Sequence, residues 1–522
     1  MKAFVSMLPI LLPFILLVLM RQSAKKGMTI TFIAMMVSSY IFWQMDLLVL
    51  SASIIQGLHK SFAILIILFG AIFMMNVMNE THAVNRINLG FNRLTKDMRI
   101  QAVLIAFLFG AIIEGVAGFG TPAVVVAPLL VALGFEPVAA ATLALVSNSV
   151  PVPFAAVGTP IQIGLGNISQ EPLFLNEVGI FITSIDFWVG SLIPTIVVYM
   201  LLLFFHKNST IRDYLEITPW TLLIGFTYEL VATITIHLVG YEFVTISSSI
   251  ITLLVALITI RFGILIPKNT WQKAKTKDTL IAESNMSLWK AWLPYGVVIG
   301  LLLITRIVQP IKQFVLTHFD FSLNDILGFN AIDSSLKLLY SPGFILVFSA
   351  LIAWLIQKGD EIDLKHASTK SLKSIQSAAL ALLPTLAMVQ IFSNSGLNNA
   401  DLPSMPVYLA VLIGDHLHSV WLHLAPFIGE LGSFITGSAT VSTLTFSPIQ
   451  NQIALDYGYV PELILALQLI GGAAGNMICV HNVVSVSSVV GTVGQEGTII
   501  RKTVMPALLY GFLTGLVATL MF

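Results

Sequence analysis

Apolar residues along this chain come in long blocks. A helix needs about 20 mostly apolar residues to cross ~30 Å of hydrocarbon. Blocks of about that size occupy 5–20, 28–44, 60–79, 137–166, 179–205, 218–238, 243–262, 291–307, 343–357, 374–393, 461–495 and 503–522, which predicts twelve transmembrane helices. Lys and Arg gather between particular blocks: Arg21 to Lys26, Arg86 to Arg99, Lys207 and Arg212, Lys268 to Lys290, Lys358 to Lys373, and Arg501 with Lys502. With those loops in the cytoplasm the twelve crossings alternate and both termini lie outside. Arg306, Lys312 and Lys337, in the longest outer loop, are the exceptions. Two further apolar stretches, 100–134 and 421–456, break the alternation unless each enters and leaves on one side, so both are expected to be re-entrant hairpins.

Each hairpin carries glycine and small polar residues at its centre, Gly115 to Pro122 and Gly432 to Ser438. Irregular backbone at that depth survives only where it is buried or lines a cavity. The two regions also resemble each other. Phe109-Gly-Ala-Ile-Ile-Glu-Gly115 has a counterpart in Ala425-Pro-Phe-Ile-Gly-Glu-Leu431, and Gly134-Phe-Glu-Pro137 in Gly458-Tyr-Val-Pro461. After each comes an apolar helix interrupted midway, by Ser147, Asn148, Ser149, Pro151, Pro153 and Pro160 in the first case and by Gly471, Gly472, Gly475, Asn476, His481 and Asn482 in the second. A proline inside a helix removes a hydrogen bond and clashes with the preceding turn, at ~3 kcal/mol or more. The loop count opens the first hairpin from the cytoplasm and the second from outside, so the units have inverted topology. The expected fold is all-α, a polytopic membrane transporter of about twelve helices plus two re-entrant hairpins. Its first repeat is 1–206 (hairpin 100–134, broken helix 137–166), linking helices and a basic loop fill 207–290, and the second repeat is 291–522 (hairpin 421–456, broken helix 461–495). Paired broken helices in inverted repeats point to a transport site at the bilayer midplane. The competing reading, glycine-rich helix packing, explains the glycines but not the prolines and small polar residues at the same depth.

Composition sharpens this. Of 522 residues, 57% are hydrophobic and 10% charged, with zero formal net charge, so there is neither room for a soluble domain nor a basic surface for nucleic acid. The lipid bilayer is the main partner. Cys479 is the sole cysteine, which excludes an internal disulfide or a cysteine metal cluster. The first block is followed by Arg21, Lys25 and Lys26 where a signal peptide would have its small-residue cleavage site, and reads as a retained span.

No Lys or Arg lies between Arg99 and Lys207 or between Lys373 and Arg501, so neither repeat core offers a cationic side chain to an anion. Half-helix N-termini supply unpaired N–H groups and the positive end of a dipole instead. The turn glycines Gly118, Gly120 and Gly437, with Thr121, Ser147, Asn148, Ser149, Thr159, Ser433, Thr436, Ser438 and Asn476, are the candidate substrate-binding residues. Such a cage suits a small monoanion, whereas a dianion would demand a guanidinium. Glu114 and Glu430, at matching hairpin positions, are candidates for proton coupling, because an intramembrane carboxyl is functional by default and a low dielectric favours the neutral form a proton carrier must visit. His481 is a further candidate. For each of these a purely structural hydrogen bond is the alternative, and for Asp186 and Glu229, also within predicted spans, a helix–helix hydrogen bond is the favoured reading. His416, His418 and His423 cluster beside the second hairpin next to an interfacial segment, Asp401 to Asp415, and no metal or other cofactor is expected. An enzyme is disfavoured: there is no H-E-x-x-H and no phosphate loop, and Gly115-x-x-Gly118-x-Gly120 lacks the strand and acidic partner of a dinucleotide fold.

Gly110-Ala-Ile-Ile-Glu-Gly-Val-Ala-Gly-Phe-Gly120, followed by Leu133-Gly-Phe-Glu-Pro137, resembles the signature of the bacterial L-lactate permease family, and the likeness runs along nearly the whole chain. The resemblance implies import of L-lactate, with glycolate and D-lactate as further substrates, by proton symport through a plasma-membrane carrier. It also marks Asn148 and Thr436-Gly437-Ser438. The sequence departs from many relatives at Ala439 to Thr443 and at Gly472-Ala-Ala-Gly-Asn476-Met477, where another short hydroxy acid would find different polar groups. A more distant likeness to the ion-transporter superfamily, which includes sodium-coupled dicarboxylate carriers, implies a homodimer. It also leaves a sodium-coupled or exchanging organic-anion carrier as the alternative.

Overall fold

The computed structural model describes residues 2–20, 22–118, 120–166, 168–169, 171–205, 209–271, 286–357, 359 and 361–522. Helices account for most of them, as expected where lipid leaves backbone groups no other partner. The extended pairing among the described residues consists of two isolated bridges, Asp320 with Lys337 and Leu323 with Ser334. Among the described residues eight helices are long and apolar enough to cross a membrane, or ten when each of two bent pairs counts as one span. The expected twelve is therefore larger than the number that qualifies. Two of the apolar blocks fold as shorter helices, Lys2–Leu17 and Pro342–Gln357, and Met98–Val116 qualifies as a span although it was read as one hairpin arm.

Both expected hairpin stretches fold as helix–turn–helix. Met98–Val116 turns through Gly118 (φ +62°) and Gly120 (φ +75°) into Thr121–Ala132, and Trp421–Thr436 turns at Gly437 (φ +74°) into Ala439–Tyr457. Thr121–Ala132, at twelve residues, reaches only about 18 Å. The first broken helix bends by 65° between Pro137–Ser147 and Val152–Gly164. The carbonyl of Pro151, freed at the break, accepts from Thr245 Oγ1 at 2.9 Å. In the second, Pro461–Gly475 stops and Val480–Val490 resumes, and the two together make one 30-residue span without a sharp bend, since glycines loosen a helix without the steric clash of proline. A third interruption, which the sequence reading did not foresee, bends Pro172–Asp186 against Gly190–Phe205 by 46°.

The ends of the basic loops meet on one face. Arg99 is fully buried there, paired with Asp97 at 2.7 Å and donating to the carbonyls of Asp213 (2.8 Å) and Asn269 (2.7 Å). Arg86 donates to Met286 O, Gln357 to Lys290 O, and Lys502 lies over the rings of Phe204 and Phe205. Met98, at the root of the first hairpin, belongs to this face through its N–H to Trp271 O. The root of the second hairpin lies at the other end of Glu496–Met521, where His423 approaches Thr519. The two hairpins are thus rooted on opposite faces. Their tips pack reciprocally: Thr121–Ala132 lies on Val480–Val490, and Ala439–Tyr457 lies on Ala155–Gly164. These elements form the centre. Every residue in the most apolar window of Met98–Val116 is buried and 94% in that of Pro461–Val490, against 33% in Leu288–Ile307 on the periphery.

Candidate functional site

Where the hairpin tips and helix breaks converge, a cavity is lined by Glu114, Gly118 and Gly120 of the first hairpin and Val152, Ala155, Ala156, Thr159 and Pro160 of the first broken helix. Gly437 to Thr440 of the second hairpin and Asn476 of the second broken helix complete it. Its volume is about 20 Å³, room for about one water molecule. Two helices, Thr121–Ala132 and Ala439–Tyr457, start at it, so the positive ends of their dipoles lie beside the same space; Pro122 has no N–H, and the N–H groups of Thr121 and Val441 are taken by Gly118 O and Ser438 Oγ. No Lys or Arg lines it among the described residues.

The backbone around the cavity is unusual. Ala156, Val157 and Gly158 have φ of +44°, +57° and +77°, a left-handed stretch inside the first broken helix. For alanine and above all for β-branched valine such conformations cost of order 1–3 kcal/mol each. They turn the chain so that Ala155, Ala156 and Thr159 all reach the cavity. At Gly120 a Cβ would stand 2.8 Å from Asn482 Oδ1, and at Gly118 3.1 Å from Ala156 Cβ. The close fit of the first tip to both broken helices therefore needs glycine.

Of the residues singled out in sequence, Gly118, Gly120, Thr159, Gly437, Ser438, Asn476 and Glu114 line the cavity. Ser438 caps Ala439–Tyr457, its Oγ accepting from Val441 N at 3.3 Å, and Thr159 Oγ1 donates to Ala156 O at 2.6 Å. Asn476 Oδ1 accepts from Ser433 Oγ at 2.8 Å, and Thr436 Oγ1 donates to Gly432 O at 2.8 Å, so Ser433 and Thr436 support the second tip from behind. Ser149 is spent on Val146 O. Thr121 Oγ1, Ser147 Oγ, Asn148 Oδ1 and Glu114 Oε2 are buried without a hydrogen-bond partner, an unusual concentration in one corner of the first unit. The Asn148 side chain lies beside the Glu114 carboxyl there.

Glu430 does not mirror Glu114: it lies outside the cavity lining and faces Gly511, whose Cβ would be 3.0 Å from its Oε1. His481 lies against Gly437, with Nδ1 3.3 Å from Cys479 Sγ, and lines a smaller void with Gly120, Asn482 and Ser485. Helix packing does claim some glycines, since a Cβ on Gly471 would overlap the Pro426 carbonyl and one on Gly475 the Glu430 carbonyl. Asp186 forms the expected helix–helix bond, accepting from Tyr510 at 2.7 Å, whereas Glu229 Oε1 has no partner. The side chains of His416 and His418 lie outside the described residues, and among those described no group of three His, Cys, Asp or Glu could hold a metal. Ala155, Ala156 and Thr440 are cavity residues that the sequence reading missed.

A family model described as L-lactate permease matches residues 2–522. A Haemophilus influenzae protein, whose own assignment as an L-lactate permease is provisional, is 32% identical, covering 98% of this chain and 97% of its own. The L-lactate permease of Bacillus subtilis is 27% identical over 85% of this chain and 82% of its own, and the glycolate permease of Escherichia coli 24% identical over 99% and 95%.

Proposed function

Since the chain belongs to the L-lactate permease family, a family of multi-pass membrane transporters, we propose that it carries L-lactate across the plasma membrane by proton symport, with glycolate as a second substrate. The observation that supports this most is the convergence of both hairpin tips and both helix breaks on one cavity that has helix N-termini but no cationic side chain. A short 2-hydroxy acid fits that chemistry. Its single carboxylate takes N–H groups at the starts of Thr121–Ala132 and Ala439–Tyr457, and its hydroxyl pairs with Ser438, Thr440 or Asn476. A dicarboxylate would leave one charge without a guanidinium.

Glu114 is the proton-coupling group in this reading. It lines the cavity, one carboxyl oxygen is unpartnered, and among the described residues no Lys, Arg or His forms an ion pair with it. Because the cavity admits only about one water, lactate enters after one tip withdraws, and the opposite roots of the hairpins supply a separate gate for each side. The reciprocal packing of tips on broken helices favours two inverted repeats, 1–206 and 291–522, as the moving parts.

The test is uptake of labelled L-lactate into proteoliposomes with a proton or a sodium gradient imposed separately. Accumulation driven by the proton gradient alone is expected. Accumulation driven only by sodium would favour the sodium-coupled carrier, and no uptake under either gradient would overturn the substrate reading.

A further inference from the structure

The third bend carries a feature that the cavity does not use. Asp186 is the last residue of Pro172–Asp186, immediately before the bend. Ile211–Leu238 crosses so closely that a Cβ on Gly225 would overlap the Ser191 carbonyl, and it brings Glu229 to the same place. The two carboxyls face one spot, since a Cβ on Gly190 would stand 2.7 Å from Glu229 Oε1 and 3.3 Å from Asp186 Cγ. Both residues are only 2% exposed. Asp186 Oδ1 accepts from the Tyr510 hydroxyl, while Glu229 Oε1 is buried with no partner. Tyr228 and Tyr510 are the titratable groups packed beside the pair, and Tyr228 is also within electrostatic reach of Glu114. Among the described residues no Lys, Arg or His forms an ion pair with either carboxyl.

Two carboxylates this close in a low-dielectric interior do not both stay ionised. Asp186 also ends a helix, where the negative end of the dipole opposes an anion. One proton relieves both costs: an O–H on Glu229 Oε1 removes the charge from the orphan oxygen and leaves a single negative charge on Asp186, which the Tyr510 hydroxyl supports. A metal cation would require a fuller oxygen cage than two carboxyls and a phenol that is already donating.

We propose that Asp186 and Glu229 form a proton-holding carboxyl pair, distinct from the substrate cavity, that loads and releases one proton in each transport cycle. Loading forms the Glu229 O–H from a proton delivered by water on one side. Release breaks that bond and returns the proton to water on the other side once the bend between Asp186 and Gly190 opens. The inference rests on the proton-symport reading.

Two measurements test it. In infrared difference spectra of the purified protein in lipid, taken on raising the pH, a carboxylic C=O band that shifts in D₂O should vanish in Glu229→Gln and persist in Glu114→Gln. In proteoliposomes, Glu229→Gln should lose proton-driven accumulation of L-lactate at least tenfold. L-lactate counterflow, which needs no net proton movement, should continue at a reduced rate, and Glu229→Asp should recover part of the accumulation. Tyr510→Phe keeps both carboxyls and should shift the band, which reads the pair even if the glutamine variant folds poorly. An unchanged band together with full accumulation in Glu229→Gln overturns the pair, as does accumulation that follows a sodium gradient in the parent but not in Glu229→Gln. No counterflow by the parent would instead overturn the substrate reading and leave the infrared test standing.

Discussion

Gly437 and Gly458 end the two arms of the second hairpin with nearly the same backbone, φ +74° and +75°, and differ in what surrounds them. Alanine in this left-handed conformation costs about 1 kcal/mol at either position. At Gly458 nothing lies within 4 Å of the added Cβ, so that cost is the whole effect. At Gly437 the Cβ would overlap Nδ1 and Cε1 of His481 and come 2.9 Å from Cys479 Sγ. The void that the imidazole shares with Gly120 and Asn482 is only about 10 Å³, too small to take the displaced ring. Overpacking of this kind costs about 1–3 kcal/mol, so Gly437→Ala should lose roughly 2–4 kcal/mol in all. If the loss falls on tip closure over the substrate, half-saturation for L-lactate counterflow rises roughly thirty- to a thousandfold, at about 1.4 kcal/mol per decade. The assay is counterflow of labelled L-lactate over a concentration series, with parent, Gly437→Ala and Gly458→Ala reconstituted in equal amounts. Adding His481→Ala to Gly437→Ala should recover most of the loss by making room. An unchanged half-saturation in Gly437→Ala, or an equal loss in Gly458→Ala, would refute the packing argument.

Asn148→Ala, Thr121→Val and Ser438→Ala each remove a polar group offered to the bound carboxylate and should each weaken uptake by ~1–3 kcal/mol, and unchanged transport in all three at equal surface expression would move the site elsewhere. Glu114→Gln should still exchange L-lactate but fail to concentrate it under an imposed pH gradient, and accumulation equal to the parent would end its coupling role. Arg99→Ala strands the buried Asp97 carboxylate that anchors the first hairpin to the 269–271 segment. Thermal unfolding in detergent should show a loss of about 3–5 kcal/mol, and an unshifted melting temperature would contradict that anchoring.

The hairpins and the first two breaks were legible because glycine and proline at bilayer depth have few physical explanations. The counterpart segments around Glu114 and Glu430 likewise marked both tips. Other features left no such trace. Ala156 and Val157 adopt left-handed φ, which neither residue type announces, and the bend after Asp186 falls in Phe187-Trp-Val189, without a proline. Matching sequence positions did not guarantee matching surroundings, for Glu430 meets Gly511 where Glu114 meets the cavity. Among the described residues eight to ten helices qualify as spans, against the twelve apolar blocks, because hydropathy registers an apolar block whether or not its helix is long enough to span. Ser147 and Ser149 were placed correctly at a break but not on the cavity lining, and Ser149 instead closes its own turn.

The central claim is that the cavity between the two hairpin tips holds the carboxylate, with groups from both halves of the chain. In a Cys479→Ser background, Thr159→Cys and Thr440→Cys place one thiol on the cavity from each half. The measurement is the rate of alkylation of each thiol by a small reagent as L-lactate is raised. Both rates should fall, with the same half-effective concentration as L-lactate uptake by the same variants. Full reactivity at either position under saturating L-lactate, in a variant that still transports it, would contradict a site shared by the two tips.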